Sequence, residues 1–238
     1  ASEITPPASL ANCSGGVYRP TALKQYGGKI YMGGVCDAEI SGSNADLKGV
    51  VLAYDPTTAT WSKVLSYPID FTTGELYANG YSQVGWASTS SGKVQPVLLD
   101  LAFGDNGQMV IGTTDRLVYN AATSNRQKGY IMGAWPNGDG TYTLENGGKL
   151  GPYTSQVTSQ NTGSDGPGGK WFFQQSTLTS QHNYTYEGGL YIKAGTNELV
   201  GGFSDPSDVS SYGAAYLNLS SGVANYFTIL GWGQKLTR

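Results

Sequence analysis

One hairpin is written three times in this chain, and a chain that repeats a hairpin at wide spacing has few folds open to it. Residues 99–115, LDLAFGDNGQMVIGTTD, align without a gap with residues 189–205, GLYIKAGTNELVGGFSD, ninety positions on. A shorter echo, LKQYGGKIYMGGVCD, occupies 23–37. Each copy is a short apolar strand, a turn rich in Gly, Asn and Asp, and a second strand that ends in Gly and then Asp. Gly27-Gly28 and Asp105-Asn106-Gly107 punctuate two of these hairpins, because Gly, Asn and Asp accept the backbone angles of tight turns. Such a hairpin opens a β-propeller blade, a unit that buries its apolar faces only by stacking on its neighbours.

Further strand-like runs extend each copy to a blade. TALKQY, KIYMGGV, GVVLAYD and WSKVLSY fill 20–68; PVLLDLAF, QMVIGTTD, KGYIMGAW and GTYTLEN fill 94–145; YEGGLYIKA, ELVGGFSD, GAAYLNLS and VANYFTIL fill 184–230. The weak alternation in KIYMGGV suits a strand buried on both faces. The fold class is therefore all-β: a β-propeller-like array of four-stranded antiparallel blades. Residues 1–19 read as a lead-in, 69–93 and 146–182 as long inserted loops, and 231–238 as a tail. The copies lie about 79 and 90 residues apart, more than the roughly 40–50 of a bare blade, and the insertions fill the difference. Ligand recognition is expected in those insertions. Three blades fall short of the four to eight that close a ring. The array reads as incomplete, and further blades or modules of the same precursor or of a neighbouring chain are expected beside it. A β-sandwich or a β-solenoid is the rival architecture.

Only 13% of residues are charged, while Gly numbers 35 and Tyr 17, which suits short strands and tight turns better than solvated helices. The net charge of −3 and the lack of a basic stripe exclude a nucleic-acid backbone as partner. No apolar run reaches the length of a membrane span, and no basic amphipathic segment suits a membrane surface, so membrane insertion is not expected. The first residues, ASEITPPASLA, have neither the basic start nor the apolar centre of a signal peptide, and the chain reads as a processed or trimmed product. Cys13 and Cys36 stand 23 residues apart. A disulfide would staple the lead-in to the first hairpin and imply an oxidising compartment; two buried free thiols are the alternative.

Candidate chemistry is sparse. His182 is the single histidine, in a polar loop without a nucleophile-elbow motif, and reads as a solvated side chain. Asp100, Asp115 and Asp205 recur at blade positions and could pair as the acids of a glycan hydrolase, although Asp at a strand end more often bonds backbone N–H groups. No cofactor is expected. Calcium is the ion that Asn137 and Asp139 with Glu145, or Asp105 with Asn106, could take, though neither run has the spacing of a calcium loop. Trp86, Tyr153 and Trp171, with Arg116 and Asp115, are the candidate ligand-binding residues: loop aromatics stack on sugar faces while polar groups bond hydroxyls. Trp232 lies beside them in type, Arg19 adjoins the first hairpin as Arg116 does the second, and Asn12, Asn183 and Asn218 open glycosylation-type triplets.

The series YRPTALKQYGGKIYMGGVCDAE, QPVLLDLAFGDNGQMVIGTTDR, NGDGTYTLENGG, GPGGKWFF and the hairpin ending in FSDP resembles the propeller-like region of large bacterial secreted surface proteins. Those proteins carry immunoglobulin-like modules of the serine–aspartate-repeat type after it. The resemblance covers about 13–233 and includes cysteines matching Cys13 and Cys36, which implies their pairing. The end departs from the family's Gly-Leu-Gly-Asp-Leu-Glu, reading Gly231-Trp232-Gly233-Gln234-Lys235-Leu236. The resemblance implies an extracellular or cell-surface location and no reaction. The expected function is a surface-displayed module for adhesion or extracellular assembly, with a glycan or other surface ligand. A glycan hydrolase and a structural spacer of a surface filament are the alternatives.

Overall fold

The computed structural model describes residues 4–73, 83–86, 93–116, 129–158, 165–175, 185–204 and 211–232. A single helical turn, α1 (Ala8–Ala11), precedes the strands within the lead-in. The first sheet is β1 (Tyr18–Tyr26), β2 (Lys29–Cys36), β3 (Lys48–Asp55) and β4 (Thr60–Pro68). The second is β5 (Pro96–Phe103), β6 (Met109–Asp115), β7 (Tyr130–Pro136) and β8 (Tyr142–Leu144). A two-stranded ribbon of β9 (Lys149–Leu150) and β10 (Tyr153–Thr154) follows. The third sheet is β11 (Thr185–Ile192), β12 (Glu198–Ser204), β13 (Ser211–Asn218) and β14 (Ala224–Trp232). Each of the three four-stranded sheets is an antiparallel meander in chain order, as short strands with tight turns dictate. Among the described residues they form a stack, and no ring closes.

The second sheet is buried on both faces. Leu98, Met109 and Ile111 meet Tyr31, Val51 and Ala53 of the first sheet, while Val110 and Ile131 meet Tyr186, Leu199 and Phe203 of the third. This double burial explains why β6 carries no polar alternation: all seven of its residues are buried.

The stacking follows the sequence repeat. The Tyr26 hydroxyl donates to the Gly104 carbonyl at 3.3 Å, and the Thr21 hydroxyl donates to the Leu98 carbonyl. Asp100 Oδ2 accepts from the Leu190 N–H at 2.7 Å, and Asp105 Oδ2 from the Gly195 N–H at 2.6 Å. Both of these pairs join positions ninety apart, so matching points of the second and third copies touch.

A glycine of each second strand makes the approach possible. A Cβ on Gly33 would lie 2.6 Å from Leu98, and one on Gly112 would lie 2.3 Å from the Tyr186 ring. Leu98 pairs with Thr113 and Tyr186 with Phe203, so the two bulky residues hold matching places in successive sheets. Gly112→Ala is expected to destabilise the fold by about 2 kcal/mol through overpacking. Urea unfolding checks this, and an unchanged midpoint would show that Tyr186 yields without cost.

The outer face of the first sheet is covered. Val50, Leu52 and Cys36 pack with Ala11, Leu10 and Cys13 of the lead-in. Cys13 and Cys36 are joined in a disulfide with Cα atoms 5.3 Å apart, within the ordinary range for such bonds.

The segment 165–175 of the second insertion packs inward. Trp171, a candidate ligand-binding residue, is buried, and so are Phe172 and Phe173, these two in the core between the second and third sheets. Residues 69–73 and 83–86 of the first insertion also turn inward, with Ile69, Phe71 and Val84 buried.

Candidate functional site

Strands β2 and β6 end in the repeated aspartate region, and the same device is built at both ends. The Val17 N–H donates to Asp37 Oδ1 at 2.9 Å, and the Gln95 N–H donates to Asp115 Oδ1 at 3.0 Å. Each carboxylate thus ties down the residue that leads into its own sheet, twenty positions earlier. The equal separations were visible in the repeat and could have revealed the latch. Asp115, a candidate ligand-binding residue, is buried and serves this purpose.

Between the two latches lies Trp86. Its N–H donates to the Asp37 carbonyl at 3.0 Å, and its Nε1 donates to the Pro96 carbonyl at 3.1 Å, which fixes the indole against both sheets. Two guanidinium groups flank the ring, Arg116 at 4.8 Å and Arg19 at 5.6 Å from its centre, within cation–π range. Arg19 is neutralised: its Nε donates to Asp37 Oδ2 at 2.6 Å and its Nη2 to Glu39 Oε2 at 2.8 Å. The bond to Asp37 raises the Arg19 pKa above its ordinary value. Burial pushes the Asp37 carboxyl up, but the bonds from Arg19 and from the Glu39 and Val17 N–H groups outweigh it and hold Asp37 below the usual range.

Arg116 is different. Its side chain is exposed, with Nε donating to Gln95 Oε1 at 2.8 Å and Nη2 to the Trp86 carbonyl at 3.1 Å. Gln95 Nε2 bonds the same carbonyl at 3.1 Å, so the amide and the arginine brace each other. Among the described residues the ion pairs are Arg19–Asp37, Arg19–Glu39 and Lys29–Asp55, and Arg116 belongs to none of them. A guanidinium has five N–H donors in a planar fork. Arg116 is therefore oriented on one edge, and among the described residues its remaining donors take part in no ion pair.

The other candidates stand elsewhere. Trp171 is buried, edge-on to Phe71 at 5.4 Å and 5.2 Å from Tyr130, so its indole is core rather than platform. Tyr153 packs edge-on against Trp135 at 5.5 Å, and its hydroxyl accepts from Asn106 at 3.5 Å. The structure thus joins Trp86, Arg116 and Asp115, adds Gln95 and Arg19, and separates Tyr153 and Trp171 from them. Sequence reading missed Gln95, since an amide before a strand carries no signal of its own.

The carboxylates proposed for hydrolysis are occupied. Asp100 accepts from Leu101 and Leu190 N–H groups, and Asp115 holds Gln95. Asp205 and His182 lie outside the described residues. Asp139 accepts from the Thr141 N–H at 2.8 Å and hydroxyl at 2.6 Å. Glu145 is engaged with the N–H groups of Gly133 and Phe172. Among the described residues no group of three or more His, Cys, Asp and Glu is placed to hold a metal ion.

No known protein-family profile matches the chain. It is 29% identical over 215 residues to Colossin-B of Dictyostelium discoideum, an alignment covering 82% of this chain and 6% of that protein. It is 26% identical over 205 residues to Colossin-C of the same organism, covering 83% of this chain and 20% of that protein. The chain thus spans a small part of both relatives. Among solved structures, a PL25 ulvan lyase matches at TM-score 0.40 and 10% identity, over 90% of this chain and 41% of that one. A GH43_1 enzyme from Xanthomonas citri matches at TM-score 0.31 and 10% identity, over 94% of this chain and 78% of that one.

Proposed function

We propose that this chain is an extracellular β-propeller-like module without catalytic activity, which binds an acidic glycan through Arg116 at the Trp86 site. The observation that carries the reading is the Arg116 guanidinium: exposed, stacked on Trp86, braced by Gln95, and outside every ion pair among the described residues. A planar fork of that kind pairs with a carboxylate or a sulfate ester. The disulfide supports an oxidising compartment, and no helix among the described residues is long and apolar enough to cross a membrane. A surface role in adhesion fits the resemblance to secreted bacterial surface proteins.

A hydrolase needs two convergent carboxyls facing a cleft. Glu145 has the raised pKa of a general acid, but it is buried with both oxygens bonded to backbone. Asp100 and Asp115 likewise hold backbone N–H groups.

An array of neutral, carboxylated and sulfated glycans tests the proposal. Wild-type protein is expected to bind acidic glycans, with Arg116→Ala lowering the signal about tenfold, the loss of one charged hydrogen-bonded pair. No binding by the wild type, or an undiminished signal from the variant, would overturn it.

A further inference from the structure

An asparagine followed by glycine can react with its own backbone, because glycine leaves the next amide nitrogen unshielded and free to turn toward the side chain. The dipeptide occurs four times in this chain. Asn79-Gly80 lies outside the described residues. Asn106-Gly107, Asn137-Gly138 and Asn146-Gly147 stand at connections between strands, each with its asparagine exposed.

The fold restrains these three unequally. Asn137 is clasped at both ends of its amide: Nδ2 donates to Thr141 Oγ1 at 2.9 Å, and Oδ1 accepts from the Thr143 hydroxyl at 2.8 Å. At Asn146 the following nitrogen is held by another segment, since the Gly147 N–H donates to the Pro167 carbonyl at 2.9 Å, and Asn146 Oδ1 lies against Gly168. Asn106 is held least. Its Nδ2 makes one long contact, 3.5 Å to the Tyr153 hydroxyl. The Gly107 N–H donates to the Gly104 carbonyl at 2.9 Å, inside the same exposed turn. Opening that turn disturbs no other segment, and hairpin tips open at little cost.

We infer that Asn106 is a site of self-modification, converted by water to aspartate and β-aspartate with Gly107 as the internal nucleophile. The Gly107 nitrogen gives its proton to solvent base and bonds to Asn106 Cγ. The Cγ–Nδ2 bond breaks, and Nδ2 takes up a proton from solvent and leaves as ammonia. One water then opens the five-membered imide. Attack at Cγ gives aspartate; attack at the backbone carbonyl gives β-aspartate, with the chain running through Cγ. One water enters and one ammonia leaves, and nothing is oxidised or reduced.

The position gives the reaction a consequence. Asp105 accepts from the Gly195 N–H at 2.6 Å and so ties the second hairpin copy to the third. β-Aspartate adds a backbone atom between Asp105 and Gly107 and sets a new carboxylate beside Asp105. The tie to Gly195 is thereby loosened. Arg116 takes no part, so the inference stands apart from the glycan-binding proposal.

Folded protein incubated in mildly alkaline heavy-oxygen water, then digested for peptide mapping, tests it. Labelled aspartate and β-aspartate are expected at 106 at least about tenfold faster than at 137 or 146, whose extra hydrogen bonds must break before the ring closes. In urea the three are expected to react at similar rates. Similar rates in the folded protein, or the same order in urea, would overturn the inference. Hydrogen exchange reads the consequence. The Gly195 N–H is expected to exchange faster in the reacted fraction. Asn106→Gln, which would need a less favourable six-membered ring, is expected to keep that amide protected through the same incubation. A reacted fraction with Gly195 protected as before would overturn the loosening.

Discussion

A Cys13→Ala, Cys36→Ala double variant is expected to lose about 3 kcal/mol of stability and to melt about 6–12 °C below the wild type. The cross-link closes a loop between positions 23 apart in sequence, and removing it returns that loop's freedom to the unfolded chain. The folded state loses as well. α1 and Cys13 cover Val50 and Leu52, and only a short lead-in contact holds them there once the bond is gone. The loss is therefore expected first at the outer face of the first sheet, with hydrogen exchange accelerating in β3 before β6, which is buried on both sides. Calorimetry on the wild type with and without reductant, beside the variant, reads the effect. Intact-mass analysis that finds two free thiols in the wild type, or a melting shift below about 2 °C, would sink it.

What the sequence disclosed followed how local each cause is. The hairpin turns at Gly27-Gly28 and Asp105-Asn106-Gly107 depend on residues that sit in them, so the meanders could be read directly. The pairing of Cys13 with Cys36 needed only two cysteines and a position beside one strand. Trp171 could not be placed in the same way. Its glycine-rich approach looks like exposed loop, but Gly168, at φ 65°, turns the chain and delivers Trp171 beside Phe71 and Tyr130. Nothing local says that a loop will turn inward. The candidate site was hidden for a different reason. Asp115 and Arg116 are neighbours and share a hairpin end, yet the carboxylate turns in to Gln95 while the guanidinium stays at the surface. Trp86 becomes their partner only because the first insertion returns between two sheets, and that is a fact of topology.

Glu145→Gln is expected to separate two energies that oppose each other at one buried carboxyl. The Gly133 N–H donates to Glu145 Oε2 at 2.6 Å and the Phe172 N–H to Oε1 at 2.8 Å, so the side chain fastens the 165–175 segment to β7. An amide has one oxygen for these two donors, and its own NH₂ must face the other. That is expected to cost about 1–3 kcal/mol. Burial, against the opposing pull of the Phe172 and Gly133 N–H bonds, pushes the Glu145 carboxyl up to about 8 from 4.5. The unfolded chain releases this proton near the lower value and the folded chain near the upper one. The contribution is thus fully present below the unfolded value and is lost as pH rises toward 8. Glutamine does not titrate. The wild type is therefore expected to be clearly the more stable near about pH 5, and its advantage to shrink or reverse near about pH 8. Subtracting the variant's urea midpoints from those of the wild type at both pH values removes every other titrating group from the comparison. A difference that stays constant with pH would show that Glu145 is ionised in the fold throughout, with its two N–H bonds alone sustaining the buried charge.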